Sequence, residues 1–210
     1  MDVARLNRGD ATVILGTSGF AVELAGLLRD SEISVRGCIG PVAPGNDQLA
    51  YLGGDECLHN WIHLPMLVAI GQPELRRTLC ERVFAANGKV GSFVHRAAYV
   101  SLEATIGEGV IIYPHATVHA AVVLERGVLV NSNATIGHET SIGAFSTIGP
   151  GVSLGGRVQI GQNVYVGIGA STVEEITIAD STIIGAGAVV INNCDRSGTY
   201  VGVPARMKSS

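Results

Sequence analysis

A histidine followed directly by a glutamate, His138 and Glu139, is the pair best suited to acid–base chemistry in this chain. An outward imidazole can accept a proton near neutral pH, and an adjacent carboxylate can orient the ring and stabilise its charged form. In an arbitrary sequence such a pair is more often simply solvated. His115 and His119 are alternatives, which we expect to contact a substrate at most.

The histidine lies within a repeat of six residues. From Val94 to Val190 an aliphatic residue recurs at every sixth position, and only Thr172 interrupts the series. This period fits neither an α-helix nor an alternating strand, and it predicts a solenoid in which three short strands close each coil. Three sides of six residues place each residue about one strand spacing from its eighteenth neighbour. His138 follows the inward Ile136 by two positions, so it is expected at a corner, pointing outward.

Glycine often follows the inward aliphatic residue, as at Gly137, Gly143 and Gly155. We expect each corner to use a backbone without a Cβ at this position. Gly156 lies eighteen residues beyond His138, one coil further along, and its N–H is the candidate for stabilising a developing oxyanion.

Residues 1–92 lack the repeat and predict a separate α/β domain, with the solenoid over residues 93–210. The apolar runs and glycine turns predict strands at 12–15, 34–40 and 66–70 and helices at 20–29 and 73–87. Strand, glycine turn and helix in this order predict a Rossmann-like βαβ half. The turn at residues 16–19 lacks the third glycine of the dinucleotide fingerprint, which disfavours NAD. The helix N-terminus could instead hold a phosphate, a base edge or a ribose, and a purely structural turn is the alternative.

Composition narrows the classes of partner. Among 210 residues 15% are charged and the formal net charge is -4, so neither a nucleic acid nor a membrane partner is expected. The charged first residues do not resemble a signal peptide, which favours a cytoplasmic protein. The four cysteines are widely spaced and predict neither a metal site nor a disulfide framework.

The order of these parts resembles the family of sialic acid O-acetyltransferases and bacillosamine N-acetyltransferases. The resemblance rests on the turn at residues 16–19, on Gly40-Pro41, on residues 53–55 and on residues 69–77, all preceding the six-residue repeat. It covers nearly the whole chain. It implies that residues 1–92 bind a nucleotide-linked sugar and that residues 93–210 form a left-handed parallel β-helix that binds acetyl-CoA.

The resemblance also implies roles for individual residues. His138 would be the general base and Glu139 its partner, with Asn131 near the imidazole. Arg206 lies in a Gly-x-Pro-Ala-Arg segment that resembles one near the adenosine end of CoA in related enzymes. The residues implied for acetyl-CoA are Asn131, Thr147, Gly156, Ile168, Ala186 and Arg206. Those implied for the nucleotide-linked sugar are Gly16, Ser18, Gly19, Gly40, Pro41 and Gly54.

The resulting hypothesis is a homotrimeric N-acetyltransferase that acetylates an amino group, at C4, of a nucleotide-linked amino-deoxy sugar. Direct transfer and a place in lipopolysaccharide O-antigen biosynthesis are part of this hypothesis. The alternatives are O-acetylation of a sialic-acid-like sugar and a noncatalytic sugar-nucleotide-binding scaffold. UDP-sugar members of the family carry an acidic pair where this chain has Gly40-Pro41, so the base stays open between dTDP, UDP and GDP.

Overall fold

The computed structural model describes residues 5–45 and 47–208. The chain divides into two compact units, Met1–His95 and Arg96–Ser210. The sequence placed the boundary between its two predicted domains at residue 92.

The first unit is built on a parallel sheet of four strands in the order β3-β2-β1-β4. The central strand β1 is almost wholly buried, as its apolar sequence predicts. The predicted Rossmann-like half is confirmed. The elements are β1 (Ala11–Leu15), α1 (Gly19–Asp30), β2 (Ser34–Ile39), β3 (Tyr51–Gly53), a 3₁₀ helix (Asp55–Asn60), β4 (Met66–Val68), α2 (Pro73–Ala85) and β5 (Phe93–Val94).

Two elements of this unit were not predicted, β3 and the 3₁₀ helix that follows it. Strand β3 has three residues, lies at the edge of the sheet and has no buried position, so it carries no apolar run. The 3₁₀ helix likewise contains no buried residue. Neither element has the hydrophobic periodicity on which a sequence-based prediction depends.

The second unit is a left-handed parallel β-helix, as predicted. Its strands are β6 (Tyr99–Val100), β7 (Thr105–Ile106), β8 (Ile111–Ile112), β9 (Thr117–Val118), β10 (Val123–Leu124), β11 (Leu129–Val130), β12 (Thr135–Ile136), β13 (Ser141–Ile142), β14 (Thr147–Ile148), β15 (Ser153–Leu154), β16 (Gln159–Ile160), β17 (Tyr165–Val166), β18 (Ser171–Thr172), β19 (Thr177–Ile178), β20 (Ile183–Ile184), β21 (Val189–Val190), β22 (Thr199–Val201) and β23 (Arg206–Met207).

Each strand pairs in parallel with the strand one coil away. Ile136, for example, lies in register with Val118 below and Leu154 above, eighteen residues away in each direction. Strands β6, β9, β12, β15, β18 and β21 form one face of the prism, which we call the middle face. The aliphatic series fills the interior, where Val118, Ile136 and Leu154 are all buried. At the end of the helix, β23 runs antiparallel to β22.

The corners use two backbone devices at two different positions. From residue 109 to residue 187 every sixth residue has a left-handed φ between 54° and 73°, whether or not it is a glycine. Glu139 and Arg157 occupy such positions, with φ values of 58° and 56°. The glycine that follows the aliphatic residue has another purpose, close stacking. A Cβ on Gly137 would lie 2.4 Å from the carbonyl oxygen of Gly155.

Candidate active site

His138 and Glu139 lie on the outside of the corner that follows the middle face, and we call this the histidine corner. Nδ1 of the imidazole lies 3.0 Å from Oε1 of Glu139, and both side chains are about half exposed, at 54% and 56%. A carboxylate can only accept a hydrogen bond, so Nδ1 carries the hydrogen in this contact. Nε2 is thereby left with its lone pair, as a proton acceptor.

Gly156 lies directly against the imidazole. A Cβ added to this glycine would lie 2.6 Å from Nε2 of His138, so only glycine leaves room for the ring in this position. Backbone hydrogen bonds hold the stack on both sides: Arg157 N donates to His138 O at 2.8 Å, and Glu175 N donates to Gly156 O at 3.0 Å. The N–H of Gly156 donates to no acceptor in the described part of the chain, so it is open to an oxygen with negative charge.

The charges around this corner come from the following coils. Nε of Arg157 donates to Oε1 of Glu175 at 2.9 Å. The hydrogen bond and the charge of Glu175 raise the pKa of the Arg157 guanidinium above its ordinary value, with smaller contributions from Glu139 and Glu174. The preceding coil places the neutral Ala120 and Ala121 at the same positions of the corner. The His138–Glu139 pair therefore has charged neighbours on one side only.

The two alternative histidines are both exposed and lie elsewhere on the solenoid. His119 lies on the histidine corner one coil earlier, where its amide donates to the carbonyl of Ile136 and its ring contacts Tyr99 edge to face with centroids 6.5 Å apart. His115 lies on the corner that precedes the middle face, with a left-handed φ of 61°. Neither is described in contact with a carboxylate.

The residues assigned to acetyl-CoA by resemblance are spread over two corners of the single chain. Gly156 lies on the histidine corner, whereas Asn131, Ile168 and Ala186 lie on the corner that precedes the middle face. The side chain of Asn131 makes a local contact, accepting from the amide of Ser132 at 2.8 Å. The other two assigned residues are Thr147, which is buried in β14, and Arg206, which lies in β23 and is exposed.

The four cysteines are poor candidates for a nucleophile. Cys38, Cys80 and Cys194 are buried, and the partly exposed Cys57 lies in the 3₁₀ helix of the first unit and not on the histidine corner. Burial, with a smaller contribution from the charge of Asp195, raises the pKa of Cys194 to about 11, so its thiol is protonated at neutral pH.

The first unit contains a cavity of about 320 Å³ at the carboxyl ends of its strands. Four of the six predicted sugar-nucleotide residues line it, namely Gly16, Ser18, Gly40 and Pro41, whereas Gly19 and Gly54 lie outside the lining. Gly16 is required by the fold, because its φ is 120° and a Cβ would lie 2.8 Å from the carbonyl oxygen of Ala69.

Two charged residues of this cavity were missed by the sequence reading. Asp55 and Arg82 both line it and form an ion pair with each other. They are 27 residues apart, at the start of the 3₁₀ helix and near the end of α2, and no sequence pattern joins two such positions. Leucine and isoleucine side chains form much of the remaining wall, so the cavity combines an apolar slot with a few polar groups, as small-molecule sites do.

No protein-family model matches the chain, and a search of curated proteins found no match. Solved structures do match. PerB of Caulobacter crescentus, in complex with CoA and GDP-perosamine, is 28% identical over 96% of this chain and 98% of its own, with a TM-score of 0.90. The acetyltransferase domain of PglB from Neisseria gonorrhoeae, in complex with acetyl coenzyme A, is 28% identical over 97% of this chain and 100% of its own, with a TM-score of 0.88.

WeeI from Acinetobacter baumannii shares the fold, with a TM-score of 0.64 at 18% identity over 94% of this chain and 99% of its own. No helix among residues 5–45 and 47–208 combines the length and the apolar character that crossing a bilayer requires.

Proposed function

We propose that this chain is a hexapeptide-repeat sugar acetyltransferase and that it transfers the acetyl group of acetyl-CoA to the amino group of a nucleotide-linked amino-deoxy sugar. One observation carries the proposal: an imidazole oriented by a carboxylate lies against a glycine whose N–H has no acceptor among the described residues. This arrangement lies on a fold shared with PerB, which was solved with CoA and GDP-perosamine.

The chemistry assigned to these groups is direct transfer. The neutral amine attacks the thioester carbonyl, and Nε2 of His138 takes the proton that the amine loses. The N–H of Gly156 donates to the carbonyl oxygen as it becomes negative. The tetrahedral adduct then collapses, the C–S bond breaks, and the CoA thiolate leaves and takes the proton back from His138. No acyl-enzyme is needed, because both substrates are held together.

The cavity of the first unit is the proposed site of the nucleotide. The N-terminus of α1, with Ser18 beside it, offers N–H groups suited to a phosphate oxygen. The apolar slot suits a base, and Asp55 and Arg82 offer a carboxylate and a guanidinium to polar edges. The acceptor carbon is proposed as C4, and the base stays open between dTDP, UDP and GDP. Because the substrates are acetyl-CoA and a nucleotide-linked sugar, we propose a cytoplasmic enzyme that makes precursors of a surface glycan such as the lipopolysaccharide O-antigen.

The direct test is to measure the free thiol released from acetyl-CoA with dTDP-, UDP- and GDP-linked 4-amino sugars. The proposal expects release with at least one of them. Reaction with a hydroxyl sugar and with none of the amines would indicate O-acetylation instead. Nucleotide binding without any binding of acetyl-CoA would indicate a noncatalytic scaffold.

Replacing His138 by alanine is expected to lower turnover by at least about a hundredfold, because a positioned acid–base group contributes about that much or more. Isotherms for acetyl-CoA and for the nucleotide should change little, since the imidazole acts on the proton. His63→Ala removes an exposed histidine of the first unit that does not line its cavity and is the matched control, with turnover expected to stay unchanged. Full activity in His138→Ala would exclude this histidine as the base.

A further inference from the structure

Thr172, which is partly buried, is the one position between Val94 and Val190 that breaks the aliphatic series, and it lies one coil beyond Gly155 of the histidine corner. Its hydroxyl oxygen accepts a hydrogen bond from the amide of Gly155 at 3.1 Å. At equivalent corners the amide donates instead to a backbone carbonyl, as Gly137 does to Leu154 at 3.1 Å and Gly161 does to Ile178 at 2.9 Å.

The strand pairing reflects this change of acceptor from a backbone carbonyl to the Thr172 hydroxyl. Strands β12 and β15 pair at two positions, whereas β15 and β18 pair only through Ser153 and Ser171. The regular ladder is therefore interrupted where the chain enters the corner of Gly155 and Gly156. A threonine side chain has replaced the backbone carbonyl as the acceptor at that point.

A second threonine holds the same glycine from the coil below. Thr140 is fully buried, and its hydroxyl donates to the carbonyl of Gly155 at 3.1 Å while it accepts from the amide of Val158 at 3.2 Å. The carbonyl of Gly155 and the N–H of Gly156 belong to one planar peptide group. A hydrogen bond to that carbonyl fixes the plane of the peptide, and it also polarises the N–H on the other side.

We propose that Thr172 and Thr140 are positioning residues that fix Gly155 from both sides and thereby aim the Gly156 N–H at the oxyanion. Thr172 holds the Leu154–Gly155 peptide through its N–H, and Thr140 sets the plane of the Gly155–Gly156 peptide through its carbonyl. The inference rests on the proposed function. Of the two contacts, only that of Thr172 is specific to the histidine corner. Ser146 repeats the contacts of Thr140, donating to Gly161 O at 2.7 Å and accepting from Val164 N at 2.9 Å, at a corner where the amide keeps its backbone partner.

If position 172 served stability alone, an aliphatic residue would be expected there. An aliphatic residue at position 172 would continue the series, bury more apolar surface and let the amide of Gly155 regain a backbone acceptor. The hydroxyl thus replaces a favourable core contact at the corner that faces His138. Such an exchange is typical of sites where function and stability compete.

The deciding variant is Thr172→Val, which keeps the side chain's shape and removes the acceptor. We expect kcat to fall by about 10- to 100-fold, somewhat less than for the complete loss of an oxyanion donor, with KM for acetyl-CoA changed by less than about threefold. The midpoint of thermal unfolding should stay the same or rise. Thr172→Ser should recover kcat to within about threefold of the wild type, because it restores the hydroxyl.

Thr182→Val is the matched control. Thr182 is fully buried in the solenoid, and its hydroxyl has no partner within the described residues. Its replacement should leave kcat unchanged. A Thr172→Val enzyme with wild-type kcat would overturn the inference, and so would a loss of kcat that Thr172→Ser fails to restore. If the wild type transfers acetyl and His138→Ala does not, either result would overturn this inference while leaving the proposed function intact.

Discussion

At the scale of single residues, the position of the His138 imidazole depends on the absence of a Cβ at Gly156. Nε2 of His138 occupies space that a methyl group on Gly156 would take, at 2.6 Å from the position of that carbon. The φ of Gly156 is not in the left-handed region, so alanine is compatible with the backbone there. A substitution therefore acts on the ring and not on the fold.

Gly156→Ala is expected to lower kcat by about a hundredfold, because the displaced ring loses the position of a general base. The measurement is steady-state kinetics, repeated in a His138→Ala background, where the second substitution should cost much less. Gly26→Ala in α1 is the control. A Cβ there meets nothing within 4 Å, so activity should stay constant while stability rises by about 0.5–1 kcal/mol. Equal losses in both backgrounds would contradict the role given to this glycine.

Glu139 acts through the imidazole, so its removal should cost less than that of His138. In Glu139→Gln the amide oxygen can still accept from Nδ1, but the negative charge that stabilises the imidazolium is gone. Glu139→Gln should therefore lower kcat, but by less than His138→Ala does, and steady-state kinetics of the two variants measure the difference.

Replacing Arg157 changes the charge near the imidazole in the opposite direction. It lies next to Gly156, and Glu174 and Glu175 are the other charged groups on the following coils. Arg157→Met removes a positive charge that opposes the formation of an imidazolium beside Glu139, so kcat should stay the same or rise. A fall of kcat in both variants would contradict the electrostatic account.

At the scale of elements, a buried arginine secures the cavity of the first unit. Arg76 of α2 is 1% exposed, and its guanidinium donates to the carbonyls of Ile70 at 2.7 Å and Gly71 at 3.0 Å. Burial lowers the pKa of Arg76 to about 10, because the charged form is the one that desolvation disfavours. Ile70 lines the cavity, so α2 holds that wall through this side chain.

Arg76→Met is expected to lower the free energy of unfolding by about 2–4 kcal/mol, since two buried carbonyls lose a charged donor. Nucleotide binding should weaken as the wall around Ile70 loosens. Chemical denaturation and nucleotide isotherms measure the two effects. Arg77→Met is the control on the same helix, because the Arg77 side chain is 43% exposed and only approaches Glu81 at 3.9 Å. An Arg76→Met protein as stable as the Arg77→Met protein would show that the buried contacts contribute little.

At the scale of the whole molecule, one chain carries its assigned acetyl-CoA residues on separate corners of the prism. Gly156 and His138 lie after the middle face, and Ile168 and Ala186 lie before it. Residues on separate corners can flank one groove when a second copy packs against the prism. The family resemblance implies a homotrimer, and we expect each groove in it to be formed by two copies.

Sedimentation velocity and light scattering should give a mass three times that of the chain at micromolar concentration. Dilution that dissociates the assembly should reduce activity in parallel, because each groove would lose one side. A monomer with full activity at micromolar concentration would contradict this expectation.

The six-residue period was sufficient to predict the solenoid, the outward position of His138 and the closeness of Gly156. In a stack with a fixed number of residues per coil, a sequence separation of eighteen becomes a neighbour in space. The glycine turn of the first unit is local in sequence and contributed Gly16 and Ser18 to its cavity, whereas Gly40 and Pro41 were implied only by the family resemblance.

The remaining features depend on contacts between positions that no period relates. Asp55 meets Arg82 because the 3₁₀ helix and α2 border the same cavity, and neither element repeats. In the sequence, Thr172 is recognisable only as the one exception to the aliphatic series. Its role as an acceptor for the amide of Gly155 depends on side-chain and backbone geometry at one corner. Periodicity determines which coil a residue lies in, and only the tertiary structure decides which atoms meet there, because a hydrogen bond depends on tenths of an ångström and on direction.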